Sequence, residues 1–208
     1  MTPSAFDRWP VTGTVLLAFG LWFATFYLDW GIFWFKISAS ALLLAGLALL
    51  LEPMRELRLS LGFKTIGIGL ISAALLYAIF WAGKAVSTAI LPFAGEQIGA
   101  IYGKGEGSPV WAISLLLFFI TGPCEEIYWR GFLQRKLMSR FGEVGGYILA
   151  TLLYAAVHIW SLNFMLIGAA AVAGAFWGAM YWRLNDIRPL IISHSIWATF
   201  IFAVIPIV

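Results

Sequence analysis

Two adjacent carboxylates and an arginine stand in GPCEEIYWRGF, residues 122–132, soon after the apolar run WAISLLLFFI. A charged side chain at bilayer depth costs at least about 2.5–3.5 kcal/mol on insertion scales, so such a cluster marks a functional site by default. Glu126 and Arg130 are four residues apart, which on a helix puts them on one face and lets them pair. Glu125 points about 100° away and is left for another partner. A carboxylate kept from water and not neutralised by a cation is suited to act as a general base. The plainer reading is an interfacial charge cluster with Arg130 snorkelling outward; Glu125 gains nothing from it.

The chain has two histidines, His158 in LLYAAVHIW and His194 in LIISHSIWATF, both within apolar runs. One such histidine is often only hydrogen-bonded to a neighbour, whereas two with an unpaired glutamate at matching depth form a stronger signal. At a rise of about 1.5 Å per residue, Glu125 lies roughly 15 Å above Arg135, His194 roughly 9 Å above Arg188 and His158 roughly 20 Å above Gly145. Those depths let the three groups converge inside a bundle. Hydrolysis within a membrane needs a nucleophile, its activator and donors for the developing oxyanion. Glu125 and one histidine can polarise a water, and the other histidine can donate to the oxyanion. Other intramembrane protease chemistries fit poorly. There is no H-E-x-x-H and no aspartate pair within the apolar runs. Ser193 and Ser195 flank His194 but lack a Gly-x-Ser-x-Gly context.

The elements that must position these groups are membrane helices. The 208 residues are 62% hydrophobic and 11% charged, with a mean hydropathy of +0.92, which is an integral membrane composition. The pattern predicts an all-α polytopic bundle of seven helices, about 11–28, 31–51, 65–90, 110–138, 145–161, 164–182 and 189–206. EPMRELRLSLGFK reads as a charged loop, LPFAGEQIGAIYGKGEGSP as a Gly-rich loop, and SRFGEVGG and RLNDIRP as turns. A cytoplasmic N-terminus places Arg8, Arg55, Arg58, Lys64, Arg135, Lys136, Arg140, Arg183 and Arg188 on the cytoplasmic side, as the positive-inside rule expects. The chain reads as one domain, residues 1–208, with three motif-free helices in 1–109 and the chemistry in 110–208.

The remaining residues have plainer readings. The net charge of +3 is spread between apolar runs and points to no nucleic acid. The single cysteine, Cys124, excludes an internal disulfide and reads as a small buried hydrophobe. No cleavable signal peptide is evident. The 11 tryptophans read mostly as interfacial anchors. Gly174 and Gly178 form a G-x-x-x-G step for close helix packing, and Asn163, Asn185 and Asp186 are turn or cap residues.

At the charged residues the sequence resembles the CAAX-protease and bacteriocin-processing family, also called Abi, which includes the type II CAAX prenyl endopeptidases. That family carries E-E-x-x-x-R, then F-x-x-x-H, then H-x-x-x-N or H-x-x-x-D. EEIYWR, Glu125 to Arg130, matches the first; YAAVH, Tyr154 to His158, matches the second with tyrosine for phenylalanine; HSIWA, His194 to Ala198, matches only the histidine of the third. The similarity covers about residues 110–208. It implies a glutamate-dependent intramembrane endopeptidase without metal or other cofactor, in the bacterial inner membrane, acting on a membrane-anchored protein or peptide. By the resemblance Glu125 is the general base, His158 helps hold the water, Arg130 holds Glu126, and His194 stabilises the oxyanion. Tyr154 and Trp197 are assigned to substrate binding, the Tyr154 hydroxyl replacing polarity lost at Ala198. Three alternatives stay open: a zinc hydrolase with Glu125, His158 and His194 as ligands, a proton-coupled transporter, and an immunity-type binding protein.

Overall fold

The computed structural model describes residues 8–54, 57 and 61–207, except for the side chains of residues 8–10. Eight helices follow one another among the described residues: α1 (Arg8–Phe26), α2 (Phe33–Leu51), α3 (Phe63–Ile90), α4 (Ala94–Gly103), α5 (Val110–Phe141), α6 (Glu143–Ser161), α7 (Phe164–Leu184) and α8 (Arg188–Val204). Seven of them are the helices expected from the apolar runs. Five, α2, α3, α5, α6 and α7, are long and apolar enough to cross a membrane; α1 and α8 contribute the shorter apolar stretches Val11–Phe26 and Arg188–Val204.

The eighth helix, α4, corrects the sequence reading of that segment as a Gly-rich loop. Ile98, Ile101 and Tyr102 recur at helical spacing within AGEQIGAIYG and form an apolar stripe; all three line a cavity below α4. The glycines at 95, 99 and 103 masked that period. Gln97 then ties α4 to the α6–α7 turn: Asn163 Nδ2 donates to its carbonyl at 2.8 Å, and the Met165 amide donates to its Oε1 at 3.0 Å.

The turns do what their residues expect. Asn163 caps α7 by accepting from the Leu166 amide at 2.9 Å. Asn185 ends that helix at φ +48°, a left-handed conformation asparagine tolerates. Asp186 then receives the Arg188 amide at 3.0 Å and its guanidinium at 2.7–3.1 Å. On the charged loop after α2, Glu52 bridges Arg135, at 2.9 Å, and Lys136. Arg55, Arg58 and the side chain of Arg8, three of the expected orientation charges, lie outside the described residues.

The longest helix, α5, packs against α2, α6 and α8. Its backbone is not a uniform α-helix. Hydrogen bonding widens to the five-residue spacing of a π-helix over Leu117–Thr121 and Ile127–Gln134, on either side of the two glutamates. Such bulges are favoured at functional sites because each re-aims the side chains beyond it. Apolar side chains, meanwhile, cover the outside: Phe63, Leu50, Ile71, Ile90 and Trp111 are largely exposed. That surface would drive aggregation in water and suits hydrocarbon. The chain is an integral, multi-pass membrane protein.

Candidate active site

The charged motif lies in the interior. Glu125 is 6% exposed, Glu126 0% and Arg130 2%, so each needs partners to persist there. Arg130 Nη1 donates to Glu126 Oε1 at 2.9 Å, the expected pairing across one turn, and Nη2 donates to the Gly174 carbonyl at 3.3 Å. The guanidinium also lies over the Tyr154 ring at 4.6 Å and the Trp177 ring at 5.5 Å, favourable faces for a desolvated cation.

His194 joins the same oxygen. Its Nδ1 is 2.8 Å from Glu126 Oε1, and its ring stacks on Trp177 with centroids 3.9 Å apart and an interplanar angle of 17°. Trp177 is held in turn by its indole N–H, which donates to Ser193 Oγ at 3.1 Å. The approach of α8 to α5 that makes this possible depends on Gly122: a Cβ there would lie 2.9 Å from Ser195 Oγ. Ser193 and Ser195 thus serve as contacts between helices.

Glu125 has a different partner. The Tyr154 hydroxyl donates to its Oε2 at 2.8 Å. Tyr154 reaches it from α6 across α7, where Gly174 leaves room: a Cβ on Gly174 would stand 2.9 Å from Tyr154 Cδ1. Gly178, one turn on, meets Tyr147 and Gln134 and accepts from Gln134 Nε2 at 2.8 Å. The G-x-x-x-G step therefore packs α7 within the fold, with its bared carbonyls as acceptors.

His158 lies beyond Tyr154, its ring edge-on to the tyrosine at 5.3 Å. Its Nδ1 is 2.8 Å from the Tyr154 carbonyl, and its Nε2 accepts from the Trp22 indole at 3.3 Å. The sequence reading joined Glu125, His158 and His194 around one water. The direct contacts run otherwise: His194 bonds to Glu126, and Glu125 bonds to Tyr154. The donor set of the zinc alternative is not assembled either. Among the described residues no group of three or more His, Cys, Asp or Glu side chains is placed to hold a metal ion.

Trp197 packs edge-on to Trp177 at 5.4 Å and to His194 at 6.4 Å, and its indole N–H is buried without a partner among the described residues. It also lines an apolar cavity of about 390 Å³ bounded by α3, α4, α7 and α8, together with Phe80, Leu91, Phe164 and Val172. Cys124 is buried beside Ala41 and Ala45, as a small hydrophobe would be. Two residues of the site escape sequence reasoning, Trp22 and Trp177. Trp22 lies one turn from the end of α1 and Trp177 within α7, positions that do not separate a site residue from an interfacial anchor.

Residues 107–200 match the family model of the Rce1-like proteins, type II CAAX prenyl endopeptidases. The three motifs fall within that match, and the family read from the motifs is the family matched. No curated protein and no solved structure matches the chain.

Proposed function

We propose, from the kinship of residues 107–200 with the Rce1-like endopeptidases, that the chain is a glutamate-dependent intramembrane endopeptidase. It hydrolyses a peptide bond of a membrane-anchored protein or peptide. The observation that carries this reading is the division between the two buried glutamates: Glu126 holds Arg130 and His194 on one oxygen, while Glu125 accepts from the neutral Tyr154 hydroxyl.

Glu125 is the general base. It takes a proton from water as the oxygen attacks the scissile carbonyl, and later returns that proton to the leaving amine. The Tyr154 hydroxyl orients the carboxylate, leaving its other oxygen for the water. His194, anchored through Nδ1 to Glu126 Oε1, stabilises the tetrahedral oxyanion. His158 helps hold the water. Ala198, where the family has Asn or Asp, is buried and adds no polar contact; the Tyr154 hydroxyl supplies that polarity from α6.

The apolar cavity beside Trp197 takes the hydrophobic part of the substrate, leading it toward His194. In the membrane all seven apolar helices span, the N-terminus is cytoplasmic, and Arg135, Lys136 and Arg140 mark the cytoplasmic end of α5. The reading is tested by comparing membrane proteins and peptides from cells carrying wild type or Glu125→Gln. One species should shift in mass with the variant; a substrate processed equally by both removes Glu125 from the mechanism.

A further inference from the structure

Trp22 lies one turn before the end of α1, outside residues 107–200, and none of its side chain is exposed. Its indole N–H donates to His158 Nε2 at 3.3 Å, while Nδ1 of the same ring is 2.8 Å from the Tyr154 carbonyl. A carbonyl only accepts, so Nδ1 carries the proton; an indole N–H only donates, so Nε2 carries the lone pair. Together the two contacts dictate one neutral tautomer. The indole is itself fixed, edge-on to Trp129 at 5.9 Å and to the imidazole at 6.0 Å, while Phe26 stands 5.7 Å from the imidazole.

We propose that Trp22 is a positioning residue, which holds His158 in the Nδ1–H tautomer with Nε2 presented as an acceptor. The first helix thereby completes a site whose motifs all lie elsewhere. Of the two bonds on the ring, the indole bond is the longer, beyond the usual N–H···O distance, and is the one that must yield for a water's O–H to reach Nε2. The consequence for turnover rests on the role proposed for His158 above; the tautomer itself does not.

Only two histidines occur in the chain, so the test is direct. Full-length protein labelled with 15N-histidine and 15N-tryptophan is reconstituted in lipid nanodiscs, and His158 is assigned through the His194→Gln variant. In wild type, His158 is expected to show one protonated and one unprotonated nitrogen, the latter correlated with an indole proton. Trp22→Phe keeps a ring but removes the donor, and should shift the unprotonated nitrogen toward its non-hydrogen-bonded position. Trp34→Phe is the packing control, because it removes a buried indole N–H with no partner among the described residues, on a ring that packs against Phe33 and Phe202; it should leave the His158 signals in place. A wild-type His158 protonated on Nε2, or lacking the indole correlation, overturns the proposal without any variant. So does an unchanged spectrum in Trp22→Phe, or an equal shift in both variants.

Discussion

The Tyr154 hydroxyl donates to Glu125 Oε2 at 2.8 Å, while the neighbouring Glu126 receives Arg130 and His194 on Oε1 at 2.9 and 2.8 Å. Two residues adjacent in the chain are thus given different electrostatic surroundings by the turn of one helix. Glu126 is bound to both nitrogen donors of the cluster and acts as its keystone. Glu125 receives a neutral hydroxyl on Oε2.

The first prediction concerns that neutral contact. Tyr154→Phe removes the hydroxyl and keeps the ring that packs under Arg130 and against Trp129. A hydrogen bond to a charged group contributes about 1.5–3 kcal/mol, so kcat should fall about tenfold to a hundredfold, and the unfolding temperature should drop as the buried carboxylate loses a partner. Turnover of the species left uncut by Glu125→Gln is the measurement. An unchanged rate takes Tyr154 out of the site.

Glu125 and Glu126 should separate when each is changed to glutamine. Glu126→Gln leaves the buried Arg130 without its counter-charge, a loss of about 3–5 kcal/mol, seen as a large drop in the unfolding temperature in detergent. Glu125→Gln retains an acceptor for Tyr154 and should unfold near the wild-type temperature while cleavage stops. Equal destabilisation by the two variants would contradict the division of labour.

The contrast between these carboxylates was legible in the sequence, because a spacing of four residues is a statement about helical faces. The seven apolar runs were legible for the same reason: hydrophobic length and helix length share one measure. What the spacing could not carry was partner choice across helices. His194 lands on Glu126 because α8 is drawn onto α5 at Gly122, and because α5 departs from α-helical geometry on both sides of the pair. No local pattern announces a π-helical turn. Trp22 was hidden for another reason, since a tryptophan in an apolar run has too many ordinary uses. In α4, three glycines outweighed a short apolar stripe that becomes meaningful only once α3 and α7 are beside it.

Gly174→Ala tests how closely the site depends on α7. The added methyl would meet the Tyr154 ring at 2.9 Å, and the ring must move. Overpacking of this kind costs about 1–3 kcal/mol. The displaced hydroxyl also leaves Glu125, so activity should fall by at least as much as in Tyr154→Phe. Combining the two substitutions should lower the rate no further than the worse of them, because both act through one contact. Fully additive losses would mean that Gly174 acts by a separate route.

The turn between α7 and α8 should impose an acid limit on stability. Asp186 lies outside the spans, and although burial pushes its carboxyl up, the hydrogen bonds and charge of Arg188 outweigh this and hold it below the usual carboxylate range. The folded state therefore binds its proton less readily than the unfolded chain. The stabilisation is fully present above the unfolded value, about pH 3.9, and is lost as pH falls through the folded value. The pair is partly solvated, so the effect is modest, about 1 kcal/mol or less. Asp186→Asn should lower the unfolding temperature slightly at neutral pH and converge on wild type as the solution is acidified toward pH 3. Variant and wild-type curves that stay parallel down to that pH would show that the Asp186 charge contributes nothing to the turn.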